Sequence, residues 1–85
     1  MPYILVVTPA AQRDLKRLPP YILKRVDICI LSLVENARPH GCRKLTGSDN
    51  LWRVRVGNYR IIYTIQDKEL VIIIIRVRHR REAYD

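Results

Sequence analysis

Hydrophobic and polar positions along this 85-residue chain change period twice. Tyr3–Val7 is a short apolar, β-branched run and predicts a strand. From Thr8 the spacing becomes helical: Ala11, Leu15 and Leu18 share one stripe, while Arg13, Lys16 and Arg17 lie mostly off it. Thr8 suits the N-cap and Pro9 the first helical position. Pro19-Pro20 stops this helix near Leu18 and starts a second over about Tyr21–Ala37, a helical hairpin with almost no loop. There Ile22, Val26, Cys29, Leu33 and Ala37 form a core stripe, which Ile28, Ile30 and Leu31 widen beyond what one sheet face covers. Part of that surplus is expected to meet the first helix and part to serve a partner. Cys29 reads as a small buried hydrophobe.

After a loop over Asn36–Lys44 the period returns to two. Arg43–Gly47 predicts a short strand, ending in a turn through Ser48, Asp49 and Asn50. Leu51–Tyr63 then reads as two strands joined at Gly57-Asn58, a pair suited to a tight hairpin because both tolerate positive φ. Alternation puts Trp52, Val54 and Val56 on one face and Arg53 and Arg55 on the other with Leu51, with Arg60 just across the turn. The second strand continues to about Ile65, Gln66–Glu69 turns, and Leu70–Val77 is the most apolar strand. Its isoleucine run predicts a central position covered on both faces. The expected fold is α+β: a strand, two helices, then three or four antiparallel strands, β-α-α-β-β-β when the short Arg43–Gly47 strand is left out. An N-terminal helical hairpin packs on one face of a small, mainly antiparallel sheet, in a single domain over residues 1–85. The other face, with Arg53, Arg55 and neighbours from the last strand, should be open and basic.

Composition narrows the partners. Hydrophobic residues make up 48%, a globular rather than disordered balance, although a chain this short buries roughly 60–65% of its unfolded surface. Sixteen Lys and Arg against eight Asp and Glu leave a net charge of +8, pointing to nucleic acid, an acidic protein or an anionic membrane. The membrane option is weak, because Leu70–Ile75 is far shorter than the ~20 residues of a spanning helix. No signal peptide is visible at Met1–Leu5, and Cys29 and Cys42 form no disulfide framework, so a reduced, cytoplasmic chain is expected.

Familiar catalytic constellations are missing: no Gly-x-Ser-x-Gly elbow, no phosphate-cradling Gly-rich loop, no Cys-x-x-Cys. His40-x-Cys42 lacks a second ligand pair at a usual zinc spacing, so neither metal nor cofactor is expected. Asp14, Asp27, Glu35, Asp49, Asp67, Glu69, Glu82 and Asp85 are scattered, which argues against paired-carboxylate or two-metal hydrolysis. Arginine is what clusters: Arg53, Arg55, Arg60, Arg76, Arg78, Arg80 and Arg81, with His79 and Tyr84 close in sequence. That set suits metal-free RNA cleavage, where the RNA 2′-OH attacks its own phosphorus and the protein supplies orientation, fixed positive charge and proton transfers. His79, with an ordinary pKa of about 6.5, is the acid–base candidate by residue type. Neighbouring cations would favour Tyr84 as tyrosinate, and its ring could stack on an unpaired base. The plainer alternatives are a solvated charged strand face for the arginines and a phosphate or partner contact for His79.

Three blocks carry a family resemblance: Tyr3, Thr8-Pro9, Ala11 and Asp14-Leu15; Lys44-Leu45-x-Gly47 with Trp52-Arg53-x-Arg55-x-Gly57-x-Tyr59-Arg60-x-x-Tyr63; and His79-Arg80-Arg81-Glu82-x-Tyr84. Together they span nearly the whole chain, which resembles the RelE/ParE superfamily of toxin–antitoxin toxins, nearer its RelE branch. The resemblance implies a RelE-like fold and a cytoplasmic, ribosome-dependent mRNA endonuclease (mRNA interferase) of a bacterium or archaeon. Such toxins cut messenger RNA in the ribosomal A site without metal, inhibit translation, and are neutralised by a cognate acidic RelB-like antitoxin. By position, Arg53 and Arg55 match the basic strand pair, Arg60 the arginine gripping the scissile phosphate, Arg80 the one stabilising the transition state or leaving group, and Tyr84 the C-terminal tyrosine. Arg43, Lys44, Arg76, Arg78, His79 and Arg81 are expected to bind messenger or ribosomal RNA around them. There are two departures: both strand positions are arginine, a poor proton shuttle, and only Asp85 follows Tyr84 where some members carry a further helix. A ParE-like inhibitor of DNA gyrase is the alternative on the same fold.

Overall fold

The structure, a computed structural model, describes residues 2–47 and 50–81. Strand β1 (Ile4–Val7) leads into helix α1 (Pro9–Lys16) through Thr8, whose hydroxyl accepts the Ala11 N–H at 3.1 Å. Arg17 and Leu18 form a tightened last turn, their N–H groups donating to Asp14 and Leu15 carbonyls, and Pro19 ends it. Helix α2 (Pro20–Glu35) follows at once, as Pro19-Pro20 predicts. It stops short of Ala37 because Asn36 turns extended and its side-chain oxygen accepts from the Arg38 N–H at 3.3 Å. That local bond competes with another helical turn.

Four more strands follow: β2 (Arg43–Lys44), β3 (Leu51–Val56), β4 (Tyr59–Gln66) and β5 (Val71–His79). The sheet order is β1-β5-β4-β3-β2. The helical hairpin therefore carries the chain from one edge of the sheet to the other, and an antiparallel meander returns it until β5 pairs in parallel with β1. Both helices cover one face. Ala11, Ile22, Val26, Ile30, Leu33 and Ala37 pack there against Val54, Val56, Ile61, Tyr63, Ile65, Ile72, Ile74 and Val77.

One irregularity decides what the far end of β5 presents. Ile72 and Ile74 face the helices, and strict alternation would send Arg76 and Arg78 after them into the core. A register shift at Ile62/Tyr63 inserts an extra residue in β5, so Tyr63 pairs with Ile74 but Ile62 pairs with Arg76. Val77 takes the core position and the arginines are released. Thr8 holds this bulge: its N–H donates to the Ile74 carbonyl at 3.1 Å and its hydroxyl to the Ile75 carbonyl at 2.9 Å.

The β5 expectation needs one correction. β5 is central, between β1 and β4, but among the described residues helices cover only one of its faces. Val71, Ile73 and Ile75 stay half-buried on the open face, beside exposed Ile4 and Val6 of β1. The open face is thus apolar along β1 and the first part of β5 and basic along β2, β3 and the hairpin end of β4 and β5, rather than basic throughout.

Candidate functional site

The β3–β4 hairpin is closed by Gly57 and Asn58, with Val56 opposite Tyr59. Gly57 takes φ +58° while Asn58 does not enter the left-handed region, the requirement of a turn whose first central residue is glycine. Register then sets the cations. Arg55 stands opposite Arg60, and Arg60 opposite Arg78, in one row across three strands. Arg53 is one step further along, opposite Arg43 of β2. Directly opposed side chains in such ladders have Cβ atoms roughly 4.5–5.5 Å apart, so these charges are crowded by backbone geometry alone. Burial, and then the like charges of Arg55, Arg60 and Arg43, push the Arg53 guanidinium below its ordinary pKa. The hairpin row thus gathers like charge from three adjacent strands.

Beyond β5 the Arg80 N–H donates to the Asn58 carbonyl at 2.7 Å, which holds Arg80 at the hairpin tip. Arg55, Arg60 and Arg80 thereby line one cleft of about 260 Å³, completed by Gly57, Asn58 and Tyr59. Arg25 of α2 also reaches the tip, where a Cβ on Gly57 would stand 3.6 Å from its Nη1. Nothing in the helical pattern marks Arg25 out from other exposed cations. Fixed guanidinium groups converging on a cleft can bind a phosphodiester and stabilise the charge of a pentacoordinate phosphorus.

The remaining candidates divide. Arg76 is turned to α1: its Nε donates to Asp14 Oδ2 at 2.7 Å and its Nη2 to Oδ1 at 3.1 Å. Asp14 also accepts the Val77 N–H at 2.9 Å, at the edge of β5 that β1 leaves open. In sequence Asp14 reads as one more scattered acid; its signal is its place three residues after Ala11, beside the buried stripe. His79 pairs with Tyr59 and so lies on the helix side with Val56, away from the Arg55–Arg60 row. Its ring meets the Tyr59 ring edge-on at 5.1 Å, and its Nδ1 accepts from the Arg81 N–H. Arg78 and Arg81 line a second cavity near α1 rather than the cleft. Arg43 and Lys44 are exposed on β2, on opposite faces. Tyr84, like the Ser48-Asp49 turn, lies outside the described residues.

The family description of the ParE toxin of the type II toxin–antitoxin system parDE matches residues 5–84. The chain belongs to the RelE/ParE superfamily. Toxin RelG of Mycobacterium tuberculosis is 36% identical to it over 88 aligned positions, spanning 99% of this chain and 98% of the relative. Among solved structures, the toxin–antitoxin complex RelBE2 of Mycobacterium tuberculosis contains a chain with TM-score 0.82 and 32% identity, covering 93% of this chain and 99% of that one. The archaeal RelE–RelB complex of Pyrococcus horikoshii OT3 gives TM-score 0.84 at 28% identity, over 98% and 100%. Two helices on one face of a five-stranded mixed sheet are the RelE architecture, so this is a RelE-like toxin of the type II class. Of the blocks that carried the resemblance, Trp52–Tyr63 is the hairpin row, and Arg80 of the last block is the residue bonded to its tip.

Proposed function

We propose that this RelE-like toxin is an mRNA interferase, an endoribonuclease that cuts translated messages in the ribosomal A site and so stops translation. The observation that carries this is the convergence of Arg55, Arg60 and Arg80, from β3, β4 and the segment after β5, on one cleft. In this reading the RNA supplies its own nucleophile: the 2′-OH attacks the adjacent phosphorus, and the 5′-oxygen of the next nucleotide leaves. Arg60 grips the scissile phosphate, Arg80 stabilises the extra negative charge or the leaving oxygen, and Arg53 and Arg55 hold the flanking backbone. Arg43, Lys44, Arg78 and Arg81 attract the surrounding messenger and ribosomal RNA. Tyr84 is the proposed stacking platform and proton acceptor. His79, opposite Tyr59 on the helix side, is better suited to a supporting contact than to the proton transfer its residue type invites.

The partner in this reading is a cognate acidic antitoxin, as in the RelB-containing complexes of the relatives. The net charge of +8 and the exposed apolar residues Ile4, Val6, Tyr21, Ile28 and Leu31 give such a chain both charge and apolar surface to cover. Primer extension on a translated message, with and without ribosomes, tests the activity. Wild type is expected to cut only with ribosomes, and Arg80→Ala to lose about 10²–10³-fold in rate, the usual consequence of removing one charge-stabilising donor. The match to the ParE description favours one second reading, inhibition of DNA gyrase. Induced expression that raised an SOS response and cleaved DNA while leaving messages whole would select it and reject cleavage.

A further inference from the structure

We propose that the cavity between the C-terminal end of α1 and β5 is a second RNA site, holding a phosphate and base outside the cleaved linkage. The proposal rests on the reading of the Arg55–Arg60–Arg80 cleft as an RNA site. The cavity has a volume of about 460 Å³, within the range of about 300–1,000 Å³ usual for ligand sites. Arg17, Leu18, Tyr59, Arg78 and Arg81 line it, together with the Asp14–Arg76 pair. Asp14 is committed, because Arg76 takes both its oxygens and the Val77 N–H donates to it as well. Arg17, Arg78 and Arg81 make no ion pair with any described residue. The walls are therefore cationic while their carboxylate is already used.

Continuity with the cleft points to RNA rather than an acidic peptide. Tyr59 lines both concavities, one on each side of the β4–β5 end. A single-stranded polyanion leaving the cleft meets the Tyr59 and His79 rings, then the arginines of the cavity, without leaving the surface. Aromatic rings beside a charged groove are how single strands are held without sequence preference, and Leu18 adds an apolar wall for a base. Helix α1 thus contributes Arg17 and Leu18 to RNA binding, a role absent from the sequence motifs around the cleft.

Binding of 2′-O-methyl oligoribonucleotides, which cannot be cleaved, tests this with the full chain. Arg17 is exposed at the end of α1 and its backbone makes the cap, so Arg17→Gln leaves the fold in place. Arg17→Gln is expected to weaken a hexanucleotide and to flatten its log K against log salt slope by about 0.7, the value for one lost single-strand phosphate contact. A dinucleotide, long enough for the cleft alone, should bind Arg17→Gln as it binds wild type, whereas Arg60→Ala should weaken both. Co-sedimentation with vacant ribosomes separates the sources: an Arg17→Gln defect on oligonucleotides identifies the message, and one confined to ribosomes identifies ribosomal RNA. Unchanged affinity and slope in every arm, or a loss confined to an acidic partner protein, overturns the second site while leaving the cleft intact. A hexanucleotide insensitive to Arg60→Ala but sensitive to Arg17→Gln would reject the cleft and retain this site.

Discussion

Replacing Asp14 by alanine should unfasten α1 from the end of the sheet that presents Arg78 and Arg80. The carboxylate is 7% exposed and accepts three hydrogen bonds, two from Arg76 and one from the Val77 N–H. Hydrogen bonds to charged groups contribute about 1.5–3 kcal/mol, and a buried N–H left without an acceptor costs about 1–3 kcal/mol. The Arg76 side chain is 37% exposed and regains hydration once released, which keeps the sum low in that range. A loss of about 2–4 kcal/mol is expected, against a total of roughly 4–13 kcal/mol for a domain this size. With a urea m-value of about 1–1.5 kcal/mol/M, the unfolding midpoint falls by roughly 1.3–4 M. Asp14→Asn keeps one acceptor and should lose about half as much. The pH dependence has a definite sign. Burial raises the Asp14 pKa, but the bonds from Arg76 and Val77 and the charges of Arg76 and Arg78 outweigh it and hold the carboxyl below its ordinary value. A depressed folded pKa stabilises fully above the unfolded value of about 3.9 and fades as pH falls through the folded value. The difference between wild type and Asp14→Ala should therefore narrow below about pH 4. A midpoint within about 0.5 M of wild type at pH 7, or a gap that widens in acid, would refute the assignment.

Two further substitutions separate buried from surface contacts. Tyr63 is fully buried and its hydroxyl donates to the Ala37 carbonyl at 2.8 Å, so Tyr63→Phe should cost about 1–3 kcal/mol in urea unfolding. Burial raises the Tyr63 pKa far above its ordinary value, and wild-type stability should accordingly begin to fall as pH rises past about 10, where the unfolded phenol ionises first. A phenol that titrates normally in the folded protein would contradict the burial. Asp67 receives Arg38 and the Tyr3 hydroxyl at 2.9 and 2.8 Å, but in an exposed cluster. Asp67→Asn at physiological salt is expected to leave the urea midpoint unchanged, and a clear drop would show this surface network to be structural.

The local grammar of the chain was legible where neighbouring residues decide the outcome. Thr8-Pro9 starts a helix, Pro19-Pro20 divides two helices, and Gly57 turns the hairpin, because capping, ring geometry and φ are properties of one or two residues. The opposite facing of Val54 and Val56 against Arg53 and Arg55 follows equally from strand pleating. Periodicity misled at the last strand. An isoleucine run reads as a doubly covered strand, yet among the described residues the two helices cover one face only.

What the sequence by itself determined is thus the elements, their inward faces and the pairing of Arg55 with Arg60 across a two-residue turn. The tertiary structure decided the rest. Arg80 joins the cleft through a bond to Asn58, 22 positions earlier. Arg76 is claimed by Asp14 from 62 positions away, and the bulge beside it determines which side of the sheet Arg78 and His79 occupy. These depend on which strand lies beside β1 and on where β1 ends, and a one-residue change of register, invisible to composition, exchanges every face beyond it.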